Sequence, residues 1–293
     1  MKIFLIGKKG QLGYALEARL NNLHQVFATD RKNLDLKNIY SFKNIVDKFK
    51  PELIINAAAY TDVDRAEVDR DLAFQINALA PKFLSAAAKD LDIPIIHFST
   101  NYVFNGLKDT AYQEEDKPSP ISIYGKTKWQ GEVYVQNNPK HIILRTGWLF
   151  SSYGSNFLKE IIRLSQERNT LNVVNDQWGS PTPVKLVTDA IEVIISRLNS
   201  ERCQEIFGTY HVTSSGKANW HEYSKKILEV LECKGVKTLL KKEYLLPVNS
   251  LQYPQKAKRP FNATMSTDKF NKTFLFDFPS WDAEIENTIS SII

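Results

Sequence analysis

Residues 7–13 read GKKGQLG and directly follow the apolar run IFLI of residues 3–6. Gly7, Gly10 and Gly13 thus stand at every third position between a strand pattern and a helix pattern. In a turn that binds a dinucleotide, the first glycine permits a tight bend, the second lets the backbone approach a pyrophosphate, and the third lets the helix pack closely against the strand. A helix that begins here also presents free N–H groups and the positive end of its dipole to the phosphates. A plain glycine-rich turn is the alternative.

Short apolar runs alternate with helix patterns through the first half of the chain. The runs are KIFLI (2–6), QVFATD (25–30), ELIINAAA (52–59), IPIIHFST (93–100) and HIILRT (141–146). Continuous apolar runs are typical of parallel strands that are covered on both faces. After the first run, Leu12, Leu16 and Leu20 form one apolar stripe of a helix. This order predicts an α/β fold, a Rossmann-type doubly wound parallel sheet with a smaller α/β substrate-binding lobe.

The alternation of strand and helix patterns changes near residue 150. Beyond it, irregular stretches and proline-containing connections surround amphipathic patterns such as WHEYSKKILEVLE. We therefore expect a dinucleotide-binding domain at 1–150 and a mainly substrate-binding domain at 151–293. The segment 183–213 contains a regular helix pattern and the run TYHV, and we expect it to pack back onto the first domain.

The composition is that of an ordinary folded protein, with 43% hydrophobic and 24% charged residues and a formal net charge of +5. No concentrated basic face predicts nucleic-acid binding, and no apolar segment is long enough to span a membrane. The basic stretch at 253–272 is either solvated surface or a contact for an anionic small molecule. Cys203 and Cys233 lack the spacing of a disulfide framework or a zinc site, so we expect a cytoplasmic protein.

Asp30 closes the second strand pattern, about 20 residues beyond the glycine turn. A carboxylate at this position can accept a hydrogen bond from the adenosine ribose of NADH. Arg31 and Lys32 follow directly and could instead bind the 2′-phosphate of NADPH. The choice between NADH and NADPH stays open, and a strand-end cap is the structural alternative for Asp30.

Tyr124 and Lys128 lie four residues apart in SIYGKTKWQGE, on one face of a helix expected to begin near Gly125. A free tyrosine has a pKa of about 10, and a neighbouring ammonium group lowers that pKa toward the working range of a proton donor. Such a pair also arises by chance on protein surfaces, because both residue types are common. Ser99 and Thr100 end a strand pattern and would face the same crevice, where a hydroxyl can hydrogen-bond a substrate carbonyl. Together these side chains predict a site that protonates a developing alkoxide.

The order of these motifs resembles that of a known family. GxxGxxG, a Ser/Thr at the end of a middle strand and YxxxK are similar to the pattern of the extended short-chain dehydrogenase/reductases. More narrowly, the chain resembles the dTDP-4-dehydrorhamnose reductase family nearly end to end. The motifs that carry this likeness are NAAAYTDVDRAE, STNYVFNG, SPISIYGKTKWQGE, LRTGWLF, NDQWGSPT and KRPFNATMST.

The resemblance implies an NADPH- or NADH-dependent reductase of the C4 ketone of dTDP-4-dehydro-L-rhamnose, which forms dTDP-L-rhamnose for cell-surface polysaccharide biosynthesis. Tyr124 would be the acid, Lys128 would hold the nicotinamide ribose and tune Tyr124, and Thr100 would orient the ketone. Besides the glycine turn, Asp30 and Arg31, the cofactor would contact Gln11, Leu12, Asp35, Leu36, Ala58, Ala59 and Tyr60. The substrate would contact Thr100, Asn101, Trp148 and Arg259, while Asp176 and Gln177 would shape the cleft. Without the resemblance, Trp148 is a core aromatic and Asp176 and Gln177 form a structural turn.

Two departures from the family limit what the resemblance implies. Asn101 stands where the family usually has Asp, which removes a charge beside the substrate and leaves the sugar specificity open. Some family members bind Mg²⁺ through carboxylates at a dimer interface, but the corresponding positions here are Ala15 and Lys185. We therefore expect no metal, and both a monomer and a homodimer stay open.

Other functions also stay open on the sequence. An epimerase or dehydratase of nucleotide sugars, or a reductase of a different nucleotide-linked 4-keto sugar, would keep the same fold. A non-catalytic regulatory subunit would have no need of Thr100, Tyr124 and Lys128 together. The expected partner is a small-molecule nucleotide sugar, not nucleic acid or a membrane.

Overall fold

The structure is a computed structural model that describes residues 1–37, 40–200 and 203–293. Its strands are β1 Lys2–Ile6, β2 Gln25–Thr29, β3 Leu53–Asn56, β4 Ile95–Thr100, β5 His141–Thr146, β6 Leu149–Phe150, β7 Leu171–Val174, β8 Trp178–Gly179, β9 Thr182–Pro183, β10 Gly208–His211, β11 Ala218–Asn219 and β12 Leu245–Val248. Its helices are α1 Gln11–Leu20, α2 Tyr40–Phe49, α3 Val63–Ala66, α4 Arg70–Phe74, α5 Ala80–Asp90, α6 Ile123–Val135, α7 Phe157–Glu167, α8 Val184–Leu198, α9 Trp220–Cys233, α10 Asp268–Phe274 and α11 Ile285–Ser290. A π-helical segment, Gln75–Leu79, joins α4 to α5.

A six-stranded parallel sheet in the order β10-β5-β4-β3-β1-β2 forms the centre of the molecule. Every residue of β3 and β4 is buried, as the continuous apolar runs predict. The Rossmann-type doubly wound fold expected from the sequence is thereby confirmed. Because all six strands are parallel, their carboxyl ends meet at one edge of the sheet, where ligands bind in this architecture.

Helices cover both faces of the sheet. On one face, the leucine stripe of α1 packs with α8 and α10 in the largest apolar core. On the other face, residues of α2, α5 and α6 form a second core with β1, β3, β4 and β5. Large apolar residues recur every three or four positions along these helices, so each helix has one buried stripe. The stripes pack on the sheet and exclude water from it.

A separate apolar core lies in the C-terminal half, where α7, α9 and α11 pack with β7 and β12. The same half also contributes α8, α10 and the edge strand β10 to the central sheet and its covering layer. The chain therefore passes between the two cores more than once. The domain boundary at residue 150 stays a prediction. Within the described ranges, no helix is both long and apolar enough to cross a membrane.

Candidate active site

The glycine turn connects β1 to α1 at the carboxyl edge of the sheet. Gly7 has a φ of 97°, and a Cβ on it would lie 2.7 Å from the backbone nitrogen of Ala58. A Cβ on Gly13 would overlap the carbonyl group of Gly7, so the helix packs directly on the turn. Gly10 has an ordinary φ of −76° and room for a Cβ. Two of the three glycines are thus required by the fold, and the role of Gly10 in approaching a pyrophosphate stays a prediction.

The N-terminus of α1 lacks a side-chain cap, and its first turn contains no acidic residue. Its N–H groups are therefore free to bind an anion. Gln11, at the start of this helix, accepts hydrogen bonds from Ser151 at 3.0 Å and from Asn156 at 2.9 Å. Leu12 is buried in the core beneath the turn. The 151–156 loop of the C-terminal half thus lies against the glycine turn.

Asp30 acts as a cap at the end of β2. Its Oδ1 accepts the N–H groups of Lys32 at 2.9 Å and Asn33 at 3.3 Å, while Lys9 Nζ lies 3.6 Å from Oδ2. The hydrogen bond from Lys32, followed by that from Asn33 and the Lys9 charge, lowers the pKa of the carboxyl group despite partial burial. Arg31 is exposed beside it. The structural alternative for Asp30 is therefore present, and its contact with a ribose stays a prediction.

Two further residues predicted to contact the cofactor follow this turn. Asp35 is exposed, and its Oδ1 accepts the N–H of Lys37 at 3.0 Å. Leu36 is half-buried and packs against the core beside β1 and β3. The contacts of Asp35 and Leu36 with a cofactor stay predictions.

Residues 58–60 lead away from β3 at the same edge of the sheet. Ala58 and Ala59 are half-buried, and the N–H of Ala58 donates to Asn56 at 3.2 Å. The Tyr60 phenol donates to Asp69 at 2.9 Å, and the contact of Tyr60 with a cofactor stays a prediction. Burial, followed by the interaction with the Asp69 carboxylate, raises the pKa of Tyr60.

Asn77, in the π-helical segment, is a residue that the sequence reasoning missed. It is fully buried, and its amide oxygen accepts the N–H of Tyr60 at 2.8 Å. Its amide nitrogen donates to the Tyr60 carbonyl and to the Thr127 hydroxyl, both at 3.1 Å. Asn77 thereby ties the 58–60 segment to α6. A single Asn inside a helical pattern gives no signal of this role.

Thr100, Tyr124 and Lys128 come together where β4 ends against α6. Tyr124 is half-buried, and its phenol lies beside the Thr100 side chain. Lys128 is 1% exposed, and its Nζ donates to the carbonyl of Phe98 at 2.6 Å. The α6 helix begins at Ile123, two residues before the expected start. The three groups predicted to share one site therefore do so in the structure.

The direction of one pKa shift differs from the sequence prediction. Burial raises the pKa of Tyr124 to about 12, and the neighbouring Thr100 side chain only partly offsets this. Burial also lowers the pKa of Lys128 to about 8, against the opposing charge of Glu132. The expectation that the Lys128 ammonium lowers the pKa of Tyr124 was therefore wrong for this structure. The Lys128 ammonium is directed to a backbone carbonyl, and desolvation dominates both groups.

Ser99 was expected to face the crevice beside Thr100, and this prediction was wrong. Ser99 instead donates to Glu132, eight residues beyond Tyr124 on the same helix α6. Glu132 also forms a buried ion pair with Arg145, at 2.8 Å between Oε2 and Nη2. Sequence reasoning did not find this pair, although its charged residues fall inside a helix and a strand that are otherwise buried.

Asn101 is buried immediately beyond Thr100. Its Nδ2 donates to the carbonyl of Ala263 at 3.1 Å, and its Oδ1 accepts from the Thr100 hydroxyl at 3.3 Å. A Cβ on Gly147 would lie 2.5 Å from the Asn101 amide. The amide thus links the end of β4 to the C-terminal half of the chain. Its contact with a substrate stays a prediction.

Trp148 follows β5 with a φ of 52°, a conformation that bulky residues rarely adopt. Its indole stacks on that of Trp220 with ring centroids 3.4 Å apart. A Cβ on Gly179 would lie 2.5 Å from the same indole, whose buried Nε1 has no hydrogen-bond partner within the described residues. Trp148 therefore packs as a core aromatic, the alternative left open above, and its substrate contact stays a prediction.

Arg259 is paired with Asp64 through two charge-assisted hydrogen bonds, at 3.2 and 2.6 Å.

Asp176 accepts the N–H of Ser250 at 3.0 Å and the hydroxyl of Ser250 at 2.8 Å, and therefore stabilises a turn. Gln177 is buried beside Asp176.

Across residues 1–37, 40–200 and 203–293, no group of three or more His, Cys, Asp or Glu side chains is arranged to hold a metal ion.

Comparison with known proteins places these features in one family. The model of the RmlD substrate binding domain matches residues 1–293. The dTDP-4-dehydrorhamnose reductases of Salmonella typhimurium and Sinorhizobium fredii are 36% and 35% identical to the chain, and each alignment covers 100% of this chain and 98% of the relative. The crystal structure of dTDP-4-dehydrorhamnose reductase from Bacillus anthracis in complex with NADP superposes with a TM-score of 0.90, at 34% identity and 99% coverage of both chains. The chain therefore belongs to the dTDP-4-dehydrorhamnose reductase family.

Proposed function

We propose that this protein reduces the C4 ketone of dTDP-4-dehydro-L-rhamnose to form dTDP-L-rhamnose, with NADPH or NADH as the hydride donor. The observation that carries the proposal is the meeting of Thr100, Tyr124 and Lys128 at the carboxyl edge of the sheet, beside an uncapped helix N-terminus. The similarity to named reductases along the whole chain supports the same reaction.

The residues around the glycine turn fit a dinucleotide. The Gly7 bend and the close packing at Gly13 bring the first turn of α1 to the crevice without a side chain between them. The free N–H groups of Gln11, Leu12 and Gly13 would bind the pyrophosphate, and Ala58 and Ala59 would line the nicotinamide side. The relative from Bacillus anthracis was solved with NADP, which supports this assignment. When bound, the nicotinamide supplies a hydride to the ketone carbon.

Tyr124 would donate the proton that the reduction requires. With a pKa raised to about 12, its phenol is protonated throughout the neutral range, as an acid for a developing alkoxide must be. Thr100 would donate a second hydrogen bond to the same oxygen by turning its hydroxyl away from Asn101 Oδ1, to which it donates at 3.3 Å. Lys128 would provide positive charge beneath the site, where burial strengthens its effect on a forming anion.

The proposal is tested by mixing the purified protein with NADPH and dTDP-4-dehydro-L-rhamnose and following the absorbance of NADPH. We expect NADPH consumption that depends on the sugar nucleotide, with dTDP-L-rhamnose as the product. The same measurement with NADH determines the coenzyme preference. Absence of turnover with both coenzymes would contradict the proposal, and NAD⁺ released from the denatured protein together with a product of unchanged oxidation state would indicate an epimerase.

A further inference from the structure

Asp64 accepts four hydrogen bonds from residues 256–259, which are distant from it in sequence. Its Oδ1 accepts the backbone N–H groups of Lys256 at 2.9 Å and Ala257 at 2.8 Å. The guanidinium of Arg259 donates through Nη1 to Oδ1 at 3.2 Å and through Nη2 to Oδ2 at 2.6 Å. Asp64 belongs to the short helix α3 beside β3, whereas residues 256–259 belong to the C-terminal half. One carboxylate thus connects α3 to the C-terminal half of the chain.

Arg259 extends from this carboxylate toward the candidate catalytic residues. Its guanidinium lies beside the phenol of Tyr102, whose ring packs edge-on against that of Tyr124 with centroids 6.0 Å apart. The Arg259 side chain is 19% exposed, so it is ordered by its neighbours while part of it still reaches solvent. Nη1 also donates to Gln255 Oε1 at 2.7 Å and to the Ala257 carbonyl at 3.3 Å, so Nε and the second N–H of Nη2 are the donors left for a ligand among the described residues.

The segment around Asp64 also contacts the helix that carries Tyr124. Glu67, three residues later, accepts the N–H of Ile123 at 2.8 Å, and Ile123 is the first residue of α6. The chain beyond Arg259 is held in turn by Asn101, which donates to the Ala263 carbonyl. The segment 64–67 therefore sets the position of Arg259 relative to Tyr124 from one short piece of backbone.

We propose that Asp64 is a positioning residue that holds the Arg259 guanidinium at the cleft to receive the diphosphate of the nucleotide sugar. This inference rests on the proposed function, since it requires a nucleotide diphosphate in the cleft. Arginine suits this role because its planar fork matches both carboxylate and phosphate oxygens. A long side chain that is already ordered loses less rotamer entropy on binding, so pairing with Asp64 strengthens the later contact.

The informative variant is Asp64→Asn. Its amide oxygen can still accept the N–H groups of Lys256 and Ala257, but its NH₂ group would face the Arg259 guanidinium and could not hold it. We expect KM for dTDP-4-dehydro-L-rhamnose and the dissociation constant of dTDP to rise by about tenfold, as for loss of one ordered charge-assisted hydrogen bond. We expect kcat, KM for NADPH and the Tm to change little. Asp62→Asn is the matched control, because Asp62 is exposed, caps α3 and is well replaced as a cap by Asn.

Combining the change with Arg259→Gln tests whether Asp64 acts through Arg259. We expect Asp64→Asn to have no further effect on dTDP binding once Arg259 is replaced. An unchanged KM and dTDP affinity in Asp64→Asn would overturn the inference. The inference would also be overturned if Asp64→Asn lowered the dTDP affinity equally with and without Arg259, or if it lowered the NADPH affinity as well, together with the Tm. If the wild type fails to reduce the sugar nucleotide, the proposed function is wrong. Calorimetric binding of dTDP to the wild type, Asp64→Asn, Arg259→Gln and the double variant still decides the role of Asp64.

Discussion

Tyr124 is protonated throughout the neutral range, and burial raises its pKa further above that range, to about 12. We expect Tyr124→Phe to lower kcat by about 10²- to 10⁴-fold, the usual contribution of a positioned general acid, while the affinity for NADPH stays within about twofold. Steady-state rates and calorimetric titration with NADPH measure the two effects. Tyr134→Phe, in the same helix and also half-buried, is the control and should retain wild-type rates. Equal rates in Tyr124→Phe and wild type would remove Tyr124 from the mechanism.

The lowered pKa of Lys128 predicts that activity and stability change with pH in opposite directions. Burial lowers its pKa from 10.5 to about 8, so the unfolded chain binds more protons than the folded chain between these values. The free energy of unfolding should therefore gain a rising contribution between about pH 8 and pH 10. The reduction rate should fall over the same window, because the ammonium group loses its charge.

Rate measurements and urea unfolding at matched pH values test this prediction. Lys128→Met should lack the rising contribution to stability and should be slow at every pH. A wild-type rate that stays constant to about pH 10 would show that the charge of Lys128 is not required.

The sequence is sufficient to bring Thr100, Tyr124 and Lys128 together, because their order along a βαβ chain puts them at one sheet edge. It is insufficient for properties that depend on three-dimensional surroundings. The pKa of Tyr124 depends on how much of the phenol the neighbouring residues cover, and the direction of Ser99 depends on strand register. Asn77 gives no sequence signal, since its partners become neighbours only after folding.

The strand–turn–helix element at residues 2–20 gives a test of which glycines serve the fold. We expect Gly13→Ala to lower the free energy of unfolding by more than about 2 kcal/mol, because its Cβ would overlap the Gly7 carbonyl. Gly10→Ala should fold with near-wild-type stability, because that Cβ would meet only the Gly7 oxygen at 3.5 Å. Urea denaturation measures both. Equal stability of Gly13→Ala and Gly10→Ala would contradict the packing described for this turn.

Sequence patterns predict which elements form, but not where a helix begins or which ion pairs form between elements. The apolar runs predict the parallel strands of the first half because both faces of the sheet are covered. The start of α6 is set instead by Ser122, whose hydroxyl accepts the N–H of Gly125 at 3.1 Å. The buried pair between Glu132 and Arg145 depends on the docking of α6 against β5, which no local pattern specifies.

In the whole molecule, the C-terminal half both completes the sheet and closes the cleft. The edge strand β10 pairs with β5, and α8 covers the leucine stripe of α1. Gln11 hydrogen-bonds to Ser151 and Asn156, and Asp64 pairs with Arg259. The regular pattern of 183–213 predicts that this segment packs onto the first domain, whereas no local pattern predicts these side-chain links between the two halves. We expect the proposed substrate to bind between these two parts of the chain.

The transfer of hydrogen to the sugar tests the central claim most directly. The wild-type protein would be incubated with dTDP-4-dehydro-L-rhamnose and NADPH carrying deuterium at the nicotinamide C4 position, separately in each of its two orientations. We predict that one of the two forms gives dTDP-L-rhamnose with deuterium at C4 of the sugar, in step with the NADP⁺ formed, and that Tyr124→Phe gives almost none. A sugar product without deuterium from either form, or an isomerised sugar with no NADPH consumed, would contradict the account.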